Sequence, residues 1–542
     1  MGVFNYRFVR PSSDLDLYQR VNSSMKKVLL IIIDALATRV VSPALQNGML
    51  PNIQKLVDQG ILCPECTSIF PSITPAATCS IVTGGYPFEH GISGAYWYDT
   101  DADEVAYFGS DLPAIMNEGM EHYINDFQIR LNMERLRIPT LFERIEQHGS
   151  LSDAVVNFMW YRGTVEHETT TPTLLNLTPG ISLASSMRGP HTMFLGDFVS
   201  TPLYGTKPSA RGGLPRRFGF HDEATADYLL AMAEQNCLPD LTLAYFPNND
   251  FDSHAEGPKN AVSTLQEVDT HLGRLFEMQG GLEKFLDEFT ILITGDHSQS
   301  DLDENPSVDL NQVLEQFPIV EAGKPWQGDE DMKVCPNMRS AQIYMKPELW
   351  NRRGEVIDCL INCPEIDQVI WCDDENGLNG TGETSFHVQT ADRGRLDFKP
   401  GVDQEGNAVD CYHTNWVWKG DLAAIDAKVT PEGEVKYGDY PNAFERIATS
   451  FSEITGNIWV TARLGKEFCL PDLKCNPAGS HGSLHQLDST APLIAAGLPD
   501  DFELPASPRI IDITPICMQL LNLSPPRLPG SSAILNPLNE DL

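Results

Sequence analysis

The chain has 542 residues, of which 42% are hydrophobic and 9% aromatic, a composition typical of a packed globular protein rather than a disordered one. Its 75 acidic and 38 basic side chains give a net charge of −37, which repels nucleic-acid backbones and anionic lipid and argues against a DNA or RNA polymer as partner. No apolar run approaches the roughly 18 residues that span a membrane, so no membrane partner is expected either.

The first segment, residues 1–24, is polar and irregular, which predicts an N-terminal arm on the surface. Next, Met25 with two lysines, a short apolar run and Ala35 together imitate a secretory signal peptide. The apolar run is too short and Asp34 interrupts it, so we do not expect secretion by this route. Twelve cysteines in a chain of this size are ordinary for a reducing cytosol, where buried free thiols are the default form. The expected location is therefore cytoplasmic.

An apolar run over 28–33 is typical of a strand buried on both faces of a parallel sheet. Similar runs alternate with helical spacings along the chain. Further strands are expected over 153–158, 241–246, 289–294, 457–462 and 491–496, and helices over 51–60, 140–148, 222–236, 262–278, 443–454 and 509–523. This alternation predicts an α/β fold with a doubly wound, mostly parallel sheet and helices on both of its faces.

Two stretches differ from this alternation. Residues 169–219 are rich in Pro, Gly, Ser and Thr, which predicts a long surface excursion that borders the site. Between about 302 and 435 the composition shifts toward Asp, Glu, Gly and Asn, and short strands and a helix there predict a small inserted α/β subdomain. The core would then consist of residues 25–301 and 436–542, with the strand over 457–462 returning to the main sheet.

A short helix is predicted to begin at the Thr74-Pro75 step, because proline suits the first helical position, where its missing N–H is not needed. Thr74 is then the N-cap, and Gly84 and Gly85 end the helix. A hydroxyl at this place lies among free backbone N–H groups, which stabilise a phosphate or a nucleophilic alkoxide. The simpler interpretation of a lone Thr-Pro step is a helix cap without a catalytic role.

Three of the predicted strands end at or just before an aspartate, and in open α/β sheets ligands bind at this edge because the strand ends converge there. Two of these aspartates bring a histidine, and a third histidine lies in a glycine-flanked loop before a later strand. Together with the threonine they form seven candidate site residues: Asp34, Thr74, Asp250, His254, Asp296, His297 and His481.

Mixed carboxylate and imidazole ligands favour Zn²⁺ or a similar transition ion over calcium or magnesium, which prefer oxygen alone. Seven groups are too many for one tetrahedral ion, so the set predicts two divalent metal ions. Taken singly, each aspartate is more simply a cap or turn residue and each histidine a structural residue. His485 is a further candidate that would support a metal ligand from outside.

Five motifs occur in unbroken order between Val28 and about Leu523. They are Ile-Ile-Asp34, Phe-Pro-Ser-Ile-Thr74 with Val-Thr-Gly-Gly-Tyr-Pro and His90-Gly-Ile, the turn from Asp250 to His254 with Gly257-Pro258, Thr-Gly-Asp296-His297, and Ser-His481-Gly. In this order they resemble the alkaline phosphatase superfamily, and most closely its nucleotide pyrophosphatase/phosphodiesterase branch, the type I phosphodiesterases.

The resemblance implies an alkaline phosphatase-like fold with two zinc ions. The first zinc would be bound by Asp34, Thr74, Asp296 and His297, and the second by Asp250, His254 and His481. Thr74 would be the nucleophile and form a phospho-threonine intermediate. The expected function is a zinc-dependent hydrolase that cleaves a phosphodiester or pyrophosphate bond in a small, nucleotide-like phosphate ester. A phosphonate hydrolase or phosphomonoesterase with the same metals is the alternative, whereas the intact set argues against a non-catalytic metal-stabilised binding protein.

Two positions depart from the family pattern. Ala95 stands where the diesterases usually have an asparagine that donates to the phosphate, and Pro75-Ala76-Ala77 replaces the usual Phe-Pro-Asn after the nucleophile. The donor would then come from elsewhere, and the side chains considered for this role are Asn248, Asn249, Arg162 and Arg188. The choice among diester, monoester and phosphonate substrates stays open, as does the oligomeric state.

Overall fold

The structure is a computed structural model that describes residues 25–100, 102–108, 126–170, 186–204, 212–322, 324–326, 328–373, 384–402, 407–470 and 475–538. The predicted N-terminal arm, residues 1–24, lies outside the described residues, as do 171–185 and 205–211 of the predicted surface excursion.

The strands of the described residues are numbered here in chain order. They are β1 (Lys27–Ile33), β2 (Gly60–Thr67), β3 (Tyr96–Asp99), β4 (Glu104–Tyr107), β5 (Asp153–Val156), β6 (Val165–Glu168), β7 (Ser186–Gly189), β8 (Thr192–Leu195), β9 (Val199–Ser200), β10 (Leu241–Phe246), β11 (Phe289–Thr294), β12 (Ser300–Val308), β13 (Met332–Asn337), β14 (Ser340–Met345), β15 (Ile366–Cys372), β16 (Phe386–Gln389), β17 (Arg395–Pro400), β18 (Asn407–Val409), β19 (Asn415–Gly420), β20 (Ala427–Val429), β21 (Val435–Tyr437), β22 (Ile458–Ala462), β23 (Gly465–Phe468), β24 (Gly479–Ser480) and β25 (Thr490–Ala496).

The helices are identified by their bounds. The α-helices are Thr38–Gln46, Pro51–Asp58, Thr74–Thr83, Pro87–His90, Leu141–Glu146, Asp222–Glu234, Asn248–Glu256, Val262–Met278, Leu282–Glu288, Leu310–Val313, Pro347–Trp350, Arg353–Ile361, Ala443–Ala448, Gln486–Ser489 and Ile513–Leu520. Asp126–Arg135 is a π-helix, and Leu214–Gly219, Leu422–Ile425 and Ile510–Asp512 are 3₁₀-helices.

The main sheet has the strand order β2-β25-β11-β1-β10-β5-β8-β9. Its five central strands, from β11 to β8, are parallel, whereas β25, β2 and β9 are antiparallel to their neighbours. Ile32 of β1 is level with Tyr245 of β10 and Thr294 of β11, so these three strands end at the same edge. The predicted strands over 241–246 and 289–294 are confirmed at both ends.

The central position of β1 explains why residues 28–33 are all apolar. Leu29, Ile31 and Ile33 face a layer that includes the helices Asp222–Glu234 and Val262–Met278. The alternate residues Val28, Leu30 and Ile32 belong to the hydrophobic cluster on the opposite face, which includes the helices Thr74–Thr83 and Ile513–Leu520. Both faces are therefore buried by helices, and the predicted doubly wound α/β fold is confirmed.

A second sheet has the order β13-β14-β22-β15-β16-β17-β19-β18, and all of its strand pairs are antiparallel. The prediction that the strand near 457–462 returns to the main sheet is wrong, because β22 pairs with β14 and β15 instead. Its apolar sequence indicates burial but does not specify which sheet buries it. The boundaries of the inserted subdomain stay a prediction.

Two further local expectations are corrected. The turn predicted from Asp250 to His254 is part of the helix Asn248–Glu256, and the closing helix is a 3₁₀ turn followed by the helix Ile513–Leu520. Cys469 and Cys475, expected as free thiols, form a disulfide, and the other ten cysteines are free. Within the described ranges, no helix is both long and apolar enough to cross a bilayer.

Candidate active site

The helix Thr74–Thr83 begins one residue earlier than expected. Ile73, with φ −124° and ψ 133°, is the extended N-cap residue, so Thr74 occupies the first helical position and Pro75 the second. The prediction that Thr74 is the N-cap is therefore wrong. Its side chain forms no cap, because the hydroxyl points instead toward Nε2 of His297, 2.9 Å away. Gly84 ends the helix with a left-handed φ of +74°, as predicted.

One group of candidate ligands surrounds Nε2 of His297. The hydroxyl oxygen of Thr74 lies 2.9 Å from this nitrogen, Oδ2 of Asp296 lies 3.4 Å from it, and Oδ1 of Asp34 lies 3.5 Å from it. Asp34 follows β1, whereas Asp296 and His297 follow β11. The structure therefore brings together all four residues that the resemblance assigns to the first metal.

The second group is centred on Oδ1 of Asp250. Nε2 of His254 lies 3.4 Å from this oxygen and Nε2 of His481 lies 3.7 Å from it. The rings of His297 and His481 stack with centroids 3.7 Å apart, which joins the two groups. Ligand atoms of Asp250, His297 and His481 lie within 4.8 Å of one another, as do those of Asp34, Asp296 and His297. His254 is attached to this cluster through Asp250.

Each of the three histidines has a backbone carbonyl close to its Nδ1. The distances are 2.8 Å from His254 to the oxygen of Gly479, 2.8 Å from His481 to that of Ser72, and 3.1 Å from His297 to that of Ser298. A carbonyl only accepts, so Nδ1 carries the proton and Nε2 keeps its lone pair. This is the arrangement by which proteins orient a histidine toward a metal.

The carboxylates are held from outside as well. The hydroxyl of Tyr245 donates to Oδ2 of Asp34, and the side-chain amide of Gln299 donates to Oδ1 of Asp250. The N–H of Ala35 donates to Oδ1 of Asp296 over 3.2 Å. For Asp34 and Asp296 these contacts leave one carboxylate oxygen without a hydrogen-bond partner. For Asp250, the oxygen that accepts from Gln299 is also the one nearest the two histidines. The sequence did not single out Tyr245 or Gln299, although each lies within a few residues of a candidate ligand.

Four buried atoms of this cluster have no hydrogen-bond partner: Oδ1 of Asp34, Oδ2 of Asp296, Nε2 of His254 and Nε2 of His481. Unpartnered buried polar atoms are costly, and here all four are lone-pair donors of the kind that bind transition metals. Burial raises the pKa of Asp296 to about 7 and lowers that of His297 to about 4, so the imidazole of His297 is neutral near pH 7. The residues present therefore fit divalent cations.

The side chains considered as phosphate donors are used differently. The guanidinium of Arg162 donates to Glu143 and to backbone carbonyls that include Leu136 and Ile138. The amide of Asn249 donates to the carbonyl oxygen of Asp34 over 2.8 Å, so it fixes the end of β1. These two residues are committed to structure, and the expectation that they donate to phosphate has no support in their contacts.

Local contacts also show the surroundings of Ala95 and of His485. The backbone N–H of Ala95 donates to Oδ1 of Asn337 over 2.8 Å, so a residue of the second sheet lies beside the position of the usual asparagine. His485 caps the helix Gln486–Ser489, since its Nδ1 accepts from the N–H of Leu487 over 3.1 Å. Its Nε2 lies 3.9 Å from Asp439. The expected support of a metal ligand by His485 is therefore not seen among these contacts.

The sequence also matches a known protein family. A family model for type I phosphodiesterases and nucleotide pyrophosphatases matches residues 28–484, which is most of the chain. The chain belongs to this family. The resemblance drawn from the sequence motifs is thus confirmed, and the matched range of this phosphodiesterase-family chain contains all seven candidate site residues.

Individual relatives are more distant. The chain is 23% identical over 348 residues to bis(5′-adenosyl)-triphosphatase ENPP4 of Bos taurus, a match that covers 60% of this chain and 61% of that protein. It is also similar to the solved structure of murine ectonucleotide pyrophosphatase/phosphodiesterase 5 (ENPP5), with a TM-score of 0.54 and 13% identity over 95% of this chain and 100% of that chain. An inactive threonine-to-alanine variant of the murine protein in complex with AMP has a TM-score of 0.53, at 13% identity over 95% of this chain and 99% of that chain. At this identity the structural likeness supports the fold.

Proposed function

We propose that this chain is a metal-dependent hydrolase that cleaves a phosphodiester or pyrophosphate bond in a small, nucleotide-like molecule, with Thr74 as the nucleophile. The observation that carries the proposal is the position of the Thr74 hydroxyl beside a cluster whose buried ligand atoms lack partners. Family membership supports the same class of reaction. The chain spans about 61% of the length of the curated relative it matches, so its activity and substrate are proposals.

The residues for two divalent ions fall into the two groups already described. Asp34, Thr74, Asp296 and His297 would hold one ion, and Asp250, His254 and His481 the other. The mixed imidazole and carboxylate set favours zinc. When bound, the two ions would lower the pKa of the Thr74 hydroxyl and neutralise negative charge on the phosphate. They would also supply the positive charge that an anionic substrate needs on a protein of net charge −37.

In this proposal, Thr74 attacks phosphorus. Loss of its hydroxyl proton leaves an alkoxide at the N-terminal end of the helix Thr74–Thr83, where the helix dipole favours negative charge. Attack forms the bond between Oγ1 and phosphorus and breaks the bond from phosphorus to the leaving oxygen, which departs with the electron pair. The proton lost by Thr74 passes through solvent to the departing oxygen. Water then bonds to phosphorus and breaks the bond from phosphorus to Oγ1, and one proton of that water goes to the Thr74 oxygen.

The nucleotide-like substrate is supported by the relatives. ENPP4 is described as a bis(5′-adenosyl)-triphosphatase, and the murine ENPP5 variant was solved with AMP.

One observation favours the second candidate, a phosphonate hydrolase or phosphomonoesterase. Ala95 has no side-chain donor for the phosphate. Two of the residues considered as substitutes, Asn249 and Arg162, donate to backbone carbonyls of the protein instead.

A rate comparison tests the proposal. The purified chain is assayed with para-nitrophenyl phosphate, bis-para-nitrophenyl phosphate, para-nitrophenyl thymidine monophosphate and a phosphonate ester, before and after treatment with a chelator. We expect the two diesters to be cleaved fastest, activity to disappear on chelation, and added Zn²⁺ to restore it. A preference for the monoester or the phosphonate would select the second candidate, and activity that survives full metal removal would contradict both.

A further inference from the structure

A buried ion pair joins the second sheet to the edge of the main sheet. Arg339 lies in the turn between β13 and β14, and Asp488 lies in the helix Gln486–Ser489 that leads into β25. Nη1 of Arg339 is 2.6 Å from both carboxylate oxygens of Asp488, and the two side chains are 1% and 0% exposed. Neither residue belongs to the candidate ligand set.

Asp488 contacts both loops that bring histidines to the site. Its Oδ2 accepts from the backbone N–H of Ser483, over 3.1 Å, and from the Ser483 hydroxyl. Its backbone carbonyl accepts from the N–H of Ser298, over 2.9 Å. Ser483 is two residues after His481, and Ser298 directly follows His297. One residue therefore fixes the backbone beside two candidate ligands.

Arg339 contacts the same two loops from the other side. Its backbone N–H donates to the carbonyl oxygen of His481 over 2.8 Å, and its Nη1 donates to the hydroxyl of Ser300 over 2.7 Å. Its Nη2 donates to the carbonyl of Ala462, at the end of β22, over 2.9 Å. The guanidinium is thus anchored in the second sheet while it holds the segment that follows His297.

Burial of this pair is not explained by stability alone. Replacing a buried ion pair by apolar side chains of similar volume is often neutral or stabilising, so burial by itself is weak evidence for a role in folding. What an apolar pair lacks is the set of hydrogen bonds to Ser300 and Ser483, which fix the histidine loops relative to each other. The stacking of His297 on His481, with ring centroids 3.7 Å apart, depends on that relative position.

We propose that Arg339 and Asp488 are positioning residues that set the distance between His297 and His481 and thereby the affinity of the site for metal. The inference rests on the proposed function, because it concerns the same metal cluster. Outer groups that orient metal ligands typically change metal affinity by about 10- to 100-fold when they are removed. The second sheet, through Arg339, then contributes to metal retention although it supplies no candidate ligand.

The test measures Zn²⁺ affinity of the full chain by competition with a chromophoric chelator, at a temperature well below unfolding. Arg339→Lys keeps the charge but loses the paired contacts, and Asp488→Asn keeps the shape but loses the charge. We expect each variant to bind Zn²⁺ about 10- to 100-fold more weakly, and the double variant to be little weaker than either alone. Co²⁺ in place of Zn²⁺ should show an altered visible spectrum in both single variants.

Arg509→Lys is the matched control. Arg509 is equally buried, at 1%, and is paired with Glu445 and Asp512, but it contacts neither histidine loop. It should lower the unfolding temperature and leave Zn²⁺ affinity within about twofold. Ser300→Ala, which removes one small hydroxyl, carries the test if the charge variants do not fold, with an expected loss of about 3- to 10-fold.

The outcomes are distinguishable. Unchanged Zn²⁺ affinity in the folded Arg339, Asp488 and Ser300 variants would overturn the inference while leaving the proposed function intact. A loss of affinity in the Arg509 control of the same size would also overturn it, because the effect would then be general destabilisation. A wild-type chain that binds no Zn²⁺ would contradict the proposed metal-dependent function itself.

Discussion

Oγ1 of Thr74 lies 2.9 Å from Nε2 of His297, although 223 residues separate them in the chain. Nδ1 of His297 lies 3.1 Å from the carbonyl oxygen of Ser298, so the imidazole presents its lone pair toward the hydroxyl. The contact directs the threonine side chain into the cluster instead of toward its own helix. The hydroxyl of Thr74 therefore faces the cluster of candidate ligands rather than capping its own helix.

Thr74→Ala is expected to lower turnover by about 10⁴-fold or more, because it removes the proposed nucleophile. Metal content and unfolding temperature should change little. The control is Thr83→Ala, at the other end of the same helix, where the buried hydroxyl donates to the carbonyl of Cys79 over 2.7 Å. Initial rates and metal analysis check both variants, and near-normal turnover in Thr74→Ala would remove the nucleophile assignment.

Asp296→Asn is expected to reduce the bound metal from two ions per chain toward one, since an amide is a much weaker ligand than a carboxylate. Asp222→Asn is the control, because Asp222 is also buried but faces the N–H of Asn248 rather than the cluster. Elemental analysis of the purified chains measures the content. Two ions retained in Asp296→Asn would argue against the two-ion arrangement.

Tyr245→Phe is expected to weaken Zn²⁺ binding by about 10-fold, since the lost hydroxyl donates to Oδ2 of Asp34 and fixes that carboxylate. Tyr228→Phe is its partner variant. The Tyr228 hydroxyl donates to the carbonyl of Thr201 over 2.9 Å, away from the cluster, so its loss should not affect the metal. Chelator competition measures both, and equal affinities would contradict a role for Tyr245.

The buried carboxyl of Asp222 should make the stability of the chain depend on pH. Burial raises the pKa of Asp222 from 3.8 to about 7, so between these values the folded chain holds a proton that the unfolded chain has lost. The free energy of unfolding therefore falls as the pH rises through this window. We expect Asp222→Asn to be more stable than the wild type at pH 8, by about 4 kcal/mol, and nearly equal to it near pH 4. Unfolding midpoints of the metal-free chains at both pH values check this.

The disulfide between Cys469 and Cys475 gives a test of location. Titration of the denatured chain without reductant should find ten thiols, against twelve after reduction, since the other ten cysteines are free. Disulfides are rare in a reducing cytosol, so twelve thiols in freshly isolated protein, titrated after denaturation, would support the cytoplasmic prediction, and ten would favour an oxidising compartment.

The sequence was sufficient to predict the buried parallel strands, which follow a simple local pattern. The strands β10 and β11 have the predicted ends because a buried parallel strand is a continuous apolar run bounded by polar residues. Asp296 lies two residues after β11, and Asp250 lies in the helix that follows β10. The sheet that receives β22 was not predictable, because pairing with β14 and β15 depends on contacts far apart in the chain.

The candidate site shows the same division. The seven candidate ligands were found from their residue types and from their places at strand ends, at a helix start and in a glycine-flanked loop. Their supports were not: Tyr245 lies within an apolar strand, and Arg339 and Asp488 are 149 residues apart with no local pattern that links them. Side chains that hold a ligand from behind carry no spacing signal, since any donor at the right place in space is sufficient.

The position of β25 in the main sheet constrains the order in which the chain can fold during synthesis. It is the strand that pairs with β2, and it also pairs with β11, so neither contact exists until residue 496 has emerged from the ribosome. A nascent chain that already contains all seven candidate ligands still exposes the edge of β11 and lacks a partner for β2. Exposed strand edges promote aggregation, so this chain has a long interval of synthesis in which chaperone binding would be most useful.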